Sequence, residues 1–243
     1  MSSIKVISLN IEGDNHLQRI IPFFQRENPD VICLQEVLDK DIAFIKTQLQ
    51  MEGIFAPVMN IKYPNPIRLT VNNTIGILTL TKQKIEKMTF EYYVKHTEAV
   101  PIINVNEPNS SDRAIITAEI SKDNTPYKII NTHFTWSVQG QSTPLQHANL
   151  DSLFSILDTK GEFILCGDFN APRGLPVWQR LADKYTDNIP PNETTSIDQN
   201  LHRVKNIQLF VDGMFTTKHY KAEVNVVDGV SDHKALVGIV SKC

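Results

Sequence analysis

At 243 residues the chain is long enough to bury a substantial core within one layered domain spanning 1–243. A hydrophobic fraction of 41% and a charged fraction of 21% are those of an ordinary soluble globular protein. A net charge of −3 argues against the long basic groove of a tight nucleic-acid binder, and leaves a small phosphorylated substrate open.

The chain begins with an apolar-edged run, Ile4 to Leu9, that reads as a strand ending at Asn10. Leu17, Ile20, Ile21 and Phe24 recur at helical spacing, and Asn28-Pro29 stops that helix because a residue before proline is pushed out of the helical region. Val31 to Leu34 is a second buried strand, ending at Gln35-Glu36-Val37. Ile42, Ile45 and Leu49 mark another helix face, with Gly53 as its expected C-cap. Residues 54 to 110 are less regular: Pro57, Pro64, Pro66 and Asn72-Asn73 punctuate them, with strands expected at Ile75 to Leu80 and Met88 to Val94. Asn104 to Asp112 is a polar loop, the candidate mobile, substrate-facing segment.

Strands follow at Ala114 to Ile120 and Tyr127 to Asn131, the second running into Thr132-His133-Phe134. Pro144 opens a helix faced by Leu150, Leu153, Phe154 and Leu157, with Gly161 closing it. Phe163 to Cys166 is a short buried strand that stops in Gly167-Asp168-Phe169-Asn170, with the glycine allowing close backbone approach to a ligand. A short helix starts at Pro176, a polar loop runs from Asp187 to Asn206, and Ile207 to Val211 reads as a strand ending at Asp212. The last pair of strands, Ala222 to Val227 and Ala235 to Val240, flanks Ser231-Asp232-His233. Many strands with interspersed helices indicate an α/β layered fold, and the hairpin-like pairs argue against a purely parallel sheet.

Cys33, Cys166 and Cys243 make an odd count without zinc-type spacing. The first two lie in apolar runs and are expected as reduced core residues, in keeping with a cytoplasmic setting. The N-terminus shows no secretory apolar region, and no apolar run approaches the length of a transmembrane segment.

Asn10, Glu36, His133, Asp168, Asn170, Asp212, Asp232 and His233 thus recur at strand ends, the place where layered α/β proteins gather their chemistry. Several carboxylates in one crevice repel one another unless a cation neutralises them. Oxygen-rich ligands without cysteine favour a hard ion, Mg²⁺ or Mn²⁺, over zinc.

The blocks Ser8-Leu9-Asn10, Leu34-Gln35-Glu36-Val37, Asn131-Thr132-His133, Gly167-Asp168-Phe169-Asn170, Val211-Asp212 and Ser231-Asp232-His233, in this order, resemble the exonuclease–endonuclease–phosphatase superfamily. The resemblance implies a four-layer α/β sandwich, two mixed central β-sheets flanked by helices, and metal-dependent hydrolysis of a phosphoester by water. It further implies Glu36 as principal metal ligand, with Asn10 beside it and Asp232 helping to hold the ion. Asp212 would pair with His233, and either His233 or Asp168 would activate the attacking water. Asn170 and His133 would donate hydrogen bonds to phosphoryl oxygens. Arg113 reads either as a phosphate clamp or as an ion-pair partner of Asp112 or Glu119. His16, His96, His147, His202 and His219 read as surface or packing residues.

Many superfamily members carry an aromatic residue after the acid matching Asp212; Gly213 here is expected to open space near His233. The His133 block resembles the deoxyribonuclease and sphingomyelinase branches, and Trp136 and Phe134 could stack on a base, pack a lipid head group or fill the core edge. The resemblance thus implies a phosphoester substrate, whether nucleic acid, a phospholipid or a small phosphorylated molecule. The competing reading is a binding or scaffold protein that keeps the fold without the chemistry.

Overall fold

The computed structural model describes residues 2–62, 72–104, 106–107 and 109–243. Pro64 and Pro66, and Val105 and Pro108 of the polar loop, lie outside the described residues. The chain runs β1 (Ser3–Asn10), α1 (Leu17–Glu27), β2 (Val31–Leu38), α2 (Ile42–Leu49), β3 (Glu52–Ile61), β4 (Asn73–Thr81), β5 (Lys84–Val94), β6 (Arg113–Lys122) and β7 (Thr125–His133). It continues through α3 (Pro144–Leu157), β8 (Ile164–Asp168), α4 (Pro176–Lys184), β9 (Thr186–Asp187), β10 (Asp212–Thr216), β11 (Tyr220–Val227) and β12 (Ala235–Lys242).

The strands form two mixed six-stranded sheets, ordered β11-β12-β1-β2-β4-β3 and β5-β6-β7-β8-β10-β9. Each sheet has one parallel pair near its centre, β1 with β2 and β7 with β8. Parallel neighbours need a crossover, and α1 and α3 supply it. Consequently β1 and β2 end at the same edge, as do β7 and β8, whose His133 and Asp168 are register partners.

Side-chain alternation explains the layers. Ile4 and Val6 of β1 and Val31 and Cys33 of β2 point into the space between the sheets. Ile7, Leu9, Ile32 and Leu34 point the other way, onto Ile20, Ile21, Phe24 and Ile45 of α1 and α2. On the second sheet, Leu150, Leu153 and Leu157 of α3 and Trp178 and Leu181 of α4 join the core with Ile164 and Phe215. Cys33 and Cys166 are buried free thiols, as expected.

A polar seam joins the sheets beneath the edge where those parallel strands end. Gln35 and Asn131 are both fully buried, and Gln35 Nε2 donates to Asn131 Oδ1 at 2.7 Å. Asn131 Nδ2 donates in turn to the carbonyls of Leu34 and Leu78, each at 3.1 Å. Such directional contacts fix the offset of one sheet on the other, which apolar packing alone leaves soft.

Several expectations change. The helix α2 ends on Gln50 in the left-handed conformation (φ 52°), whereas Gly53 lies in β3 opposite Leu80. A Cβ at Gly53 would sit 1.8 Å from Thr79 O, so the glycine serves strand approach rather than capping. Pro57 does not punctuate a loop; it lies inside β3 beside a register shift, tolerable because β3 is an edge strand. Ile207 to Val211 is not a strand, and Asp212 starts β10 rather than ending it. Asp212 still reaches the same edge because β10 runs antiparallel to β8, with Asp212 opposite Asp168. The helix α3 ends at Leu157, four residues before Gly161. No helix among the described residues is long and apolar enough to cross a membrane.

Candidate active site

Glu36 (φ 57°) and Asn170 (φ 49°) hold left-handed backbone without being glycine. Glu36 sits where β2 shifts register against β4, between Leu34 and Val37. The bulge lets the strand turn Glu36 toward the second sheet while Gln35 stays in the interior. Asn170 follows Asp168 in a tight turn, its N–H donating to Asp168 Oδ1 at 2.8 Å. Gly167 serves its neighbour strand rather than a ligand: a Cβ there would fall 2.1 Å from Thr132 O of β7.

The sheets meet through Asn10. Its Nδ2 donates to Glu36 Oε1 at 3.1 Å and to Asp168 Oδ2 at 3.0 Å, tying one carboxylate of each sheet. His133 Nε2 lies 3.5 Å from Asp168 Oδ2 and 4.0 Å from Glu36 Oε1. His233 Nδ1 lies 2.8 Å from Asp212 Oδ2. Ligand atoms of Asp168, Asp212 and His233 all fall within 4.8 Å of one another. The eight strand-end residues of the sequence are thereby brought to one edge. Glu36, Asp168, Asn170, Asp232 and His233 line a cavity of about 660 Å³, with Trp136 and Leu209 among its walls.

Burial and charge set the ionisation states. Glu36 is pushed up to about 7, first by desolvation and then by the negative charge of Asp232. His133 is pushed down to about 4 by burial, helped by the positive charges of Arg113 and His233, so it is neutral at pH 7. Burial works against protonated His233 too, but the Asp212 carboxylate, helped by Asp168 and Asp232, outweighs it and raises the group well above its usual range. One histidine is therefore neutral and its neighbour cationic.

Arg113 is buried and pairs with neither Asp112 nor Glu119, whose partners are Lys95 and Lys128. Its guanidinium donates to Asn109 Oδ1 at 3.3 Å and to His133 O at 3.5 Å. Phe134 is fully buried, whereas Trp136 is 41% exposed. Gly213 opens no space: a Cβ there would meet the Phe169 and Phe215 rings at 2.7 Å. None of the described residues of the Asn104–Asp112 loop lines this cavity.

Two histidines read as surface or packing residues lie at the site. Glu12, His16 and Asp232 form a second group with ligand atoms within 4.8 Å, His16 Nε2 being 3.0 Å from Glu12 Oε2. His202 Nε2 approaches Asp232 Oδ2 to 3.9 Å. Neither had a usable local signal: Glu12 and His16 lie in the turn before α1, and His202 in a long loop.

The carboxylates of Glu36, Asp168 and Asp232, converging on one cavity with Glu36 raised by burial and by Asp232, form a donor set suited to a hard divalent cation. Two mixed sheets stacked with acids and histidines from both at one edge define a phosphohydrolase fold. The model of the Endonuclease/Exonuclease/phosphatase family matches residues 7–233, and the chain belongs to that family. Its members hydrolyse phosphoesters and generally use divalent metal ions. No curated protein matches the sequence significantly. Among solved structures, a family protein from Leptotrichia buccalis is similar with a TM-score of 0.74 at 17% identity, covering 98% of this chain and 99% of its own. The human Nocturnin catalytic domain with bound sulfate gives 0.69 at 18%, covering 99% and 94%. The Bacteroides thetaiotaomicron mannosyl-6-phosphatase Bt3783 gives 0.66 at 14%, covering 98% and 100%. Identities this low establish a shared fold.

Proposed function

We propose that this protein is a Mg²⁺- or Mn²⁺-dependent phosphoesterase that hydrolyses a phosphodiester or phosphomonoester by in-line attack of water. The observation carrying this reading is the joining of Glu36 and Asp168, from different sheets, by the single amide of Asn10. Glu36, with Asn10 and Asp232, would hold the ion, and Glu12 lies close enough to Asp232 to assist. When bound, the ion supplies Lewis-acid polarisation of the phosphoryl oxygen and shielding of the leaving group.

The protein's own groups do the rest. Asp168 accepts a proton from water, and His233, paired with the Asp212 carboxylate, stabilises charge on the phosphate. His233 uses Nε2 toward the substrate because Nδ1 is engaged by Asp212. Neutral His133 and the Asn170 amide donate to non-bridging oxygens, contacts worth roughly 3 kcal/mol each in a preorganised site. Arg113 acts as positive charge behind His133 rather than as a direct clamp.

The near-neutral chain and a cavity of about 660 Å³ favour a small phosphorylated molecule over tightly bound nucleic acid. The fold likeness to a sulfate-bound catalytic domain and to a sugar-phosphate phosphatase is compatible with this preference. The test is turnover of plasmid DNA, single-stranded RNA, sphingomyelin, an inositol phosphate and mannose 6-phosphate with Mg²⁺ or Mn²⁺. At least one ester should be hydrolysed, with activity abolished by EDTA and restored by the ion. Binding without turnover across the panel would favour the scaffold reading instead.

A further inference from the structure

The Asp212–His233 pair is assembled from both sheets. Asp212 opens β10 of the second sheet, and His233 lies two residues before the start of β12 in the first. Their 2.8 Å separation therefore depends on how two chain segments from different sheets are held.

One small residue outside the eight touches both segments. Ser196 is fully buried in the loop between β9 and β10. Its Oγ accepts the N–H of Val211 at 2.9 Å and of Asp212 at 3.2 Å. Its carbonyl accepts the N–H of Lys234 at 2.7 Å, and its own N–H donates to Leu209 O at 3.1 Å. The following residues extend the tie. Ile197 forms an isolated antiparallel bridge with His233, and Asp198 N–H donates to Asp232 O at 2.9 Å. The Asp198 carboxylate accepts the N–H of Gly229 at 2.7 Å, of Asn200 at 2.8 Å and of Leu201 at 3.0 Å, bracing the same loop.

We propose that Ser196 is a positioning residue for the Asp212–His233 pair, its hydroxyl holding the Asp212 segment while its carbonyl holds the His233 segment. It touches neither substrate nor carboxylate; it sets the spacing of two groups that do. Alanine would leave two buried N–H groups without their acceptor. The kinetic consequence rests on the phosphoesterase reading above, whereas the geometric one does not.

The experiment compares wild type with Ser196→Ala and Ser196→Thr. Ser196→Ala should lower kcat roughly 30–100-fold, with KM changed less than about twofold, as expected for a slip of under 1 Å in a reacting constellation. Ser196→Thr, keeping the hydroxyl, should recover most of the loss. A readout independent of turnover is the downfield proton resonance of the His233 Nδ1–H, assigned by its disappearance in His233→Asn. It should move or broaden in Ser196→Ala and return in Ser196→Thr. If wild type hydrolyses no ester, the functional reading fails while the resonance still decides the positioning role. Unchanged kcat and an unchanged resonance in Ser196→Ala would overturn the proposal, as would a loss that Thr does not relieve. Should Ser196→Ala fail to fold, Ser196→Cys, with a weaker acceptor of similar size, is read by the same two measures.

Discussion

Glu36→Gln should reduce turnover on the order of 10³-fold while raising the melting temperature of the metal-free protein by a few degrees. The two effects share one cause. Glu36 gathers negative charge for an ion, and without that ion the half-buried charge is partly desolvated and faces Asp232. A carboxyl whose folded pKa is about 7, against an ordinary 4.5, binds more protons folded than unfolded between those values. Its ionised form therefore costs stability above about pH 7, and the cost fades as pH falls toward 4.5. Glutamine, uncharged throughout, escapes it. The melting-temperature advantage of the variant in EDTA should be largest near pH 8 and shrink through the Glu36 titration. Added Mg²⁺ or Mn²⁺ should stabilise wild type and leave the variant nearly unmoved. A variant less stable than wild type at pH 8 in EDTA would contradict this view of Glu36.

Asp212→Asn should lower kcat roughly 10²–10⁴-fold by changing the protonation of its neighbour rather than by removing a contact with substrate. In wild type, burial disfavours protonated His233, and the Asp212 carboxylate, with Asp168 and Asp232, more than compensates. With asparagine in its place burial acts against weaker opposition, so the imidazole loses its proton at a lower pH. The alkaline limb of the pH–rate profile should move to lower pH accordingly. Stability follows the same sign. A histidine whose pKa is raised on folding contributes stability that is full below about pH 6.5 and is lost as pH rises through the folded value. The deficit of the variant in urea unfolding should thus be about 1–3 kcal/mol near pH 6.5 and narrow above it. Wild-type kcat with an unshifted alkaline limb would show that Asp212 does not govern His233.

Much of this site was legible because polar residues that interrupt apolar strands are costly without a partner, and Asn10, Glu36, His133 and Asp168 all do so. Their convergence followed from topology: β1-α1-β2 and β7-α3-β8 each bring two strand ends to one edge. What local pattern could not show was tertiary. Pro57 looked like a breaker, yet an edge strand with a register shift accommodates it. Gly53 and Gly213 looked like a cap and an opening, but strand backbone fills the place of a Cβ at the first and aromatic rings at the second. Ile207 to Val211 has a strand's composition, while Ile207, Leu209 and Val211 line the cavity and Leu209 O is taken by the Ser196 N–H. His202 and Ser196 gain their meaning only from a loop folded back on Asp232 and Asp212.

Anomalous diffraction from crystals grown with Mn²⁺ asks most directly whether the two sheets build one cation site. A peak in contact with the Glu36 carboxylate, inside the cavity that Asp168 and His233 also line, is the expected result. A peak bound only at residues away from Glu36, or none at millimolar Mn²⁺, would contradict it.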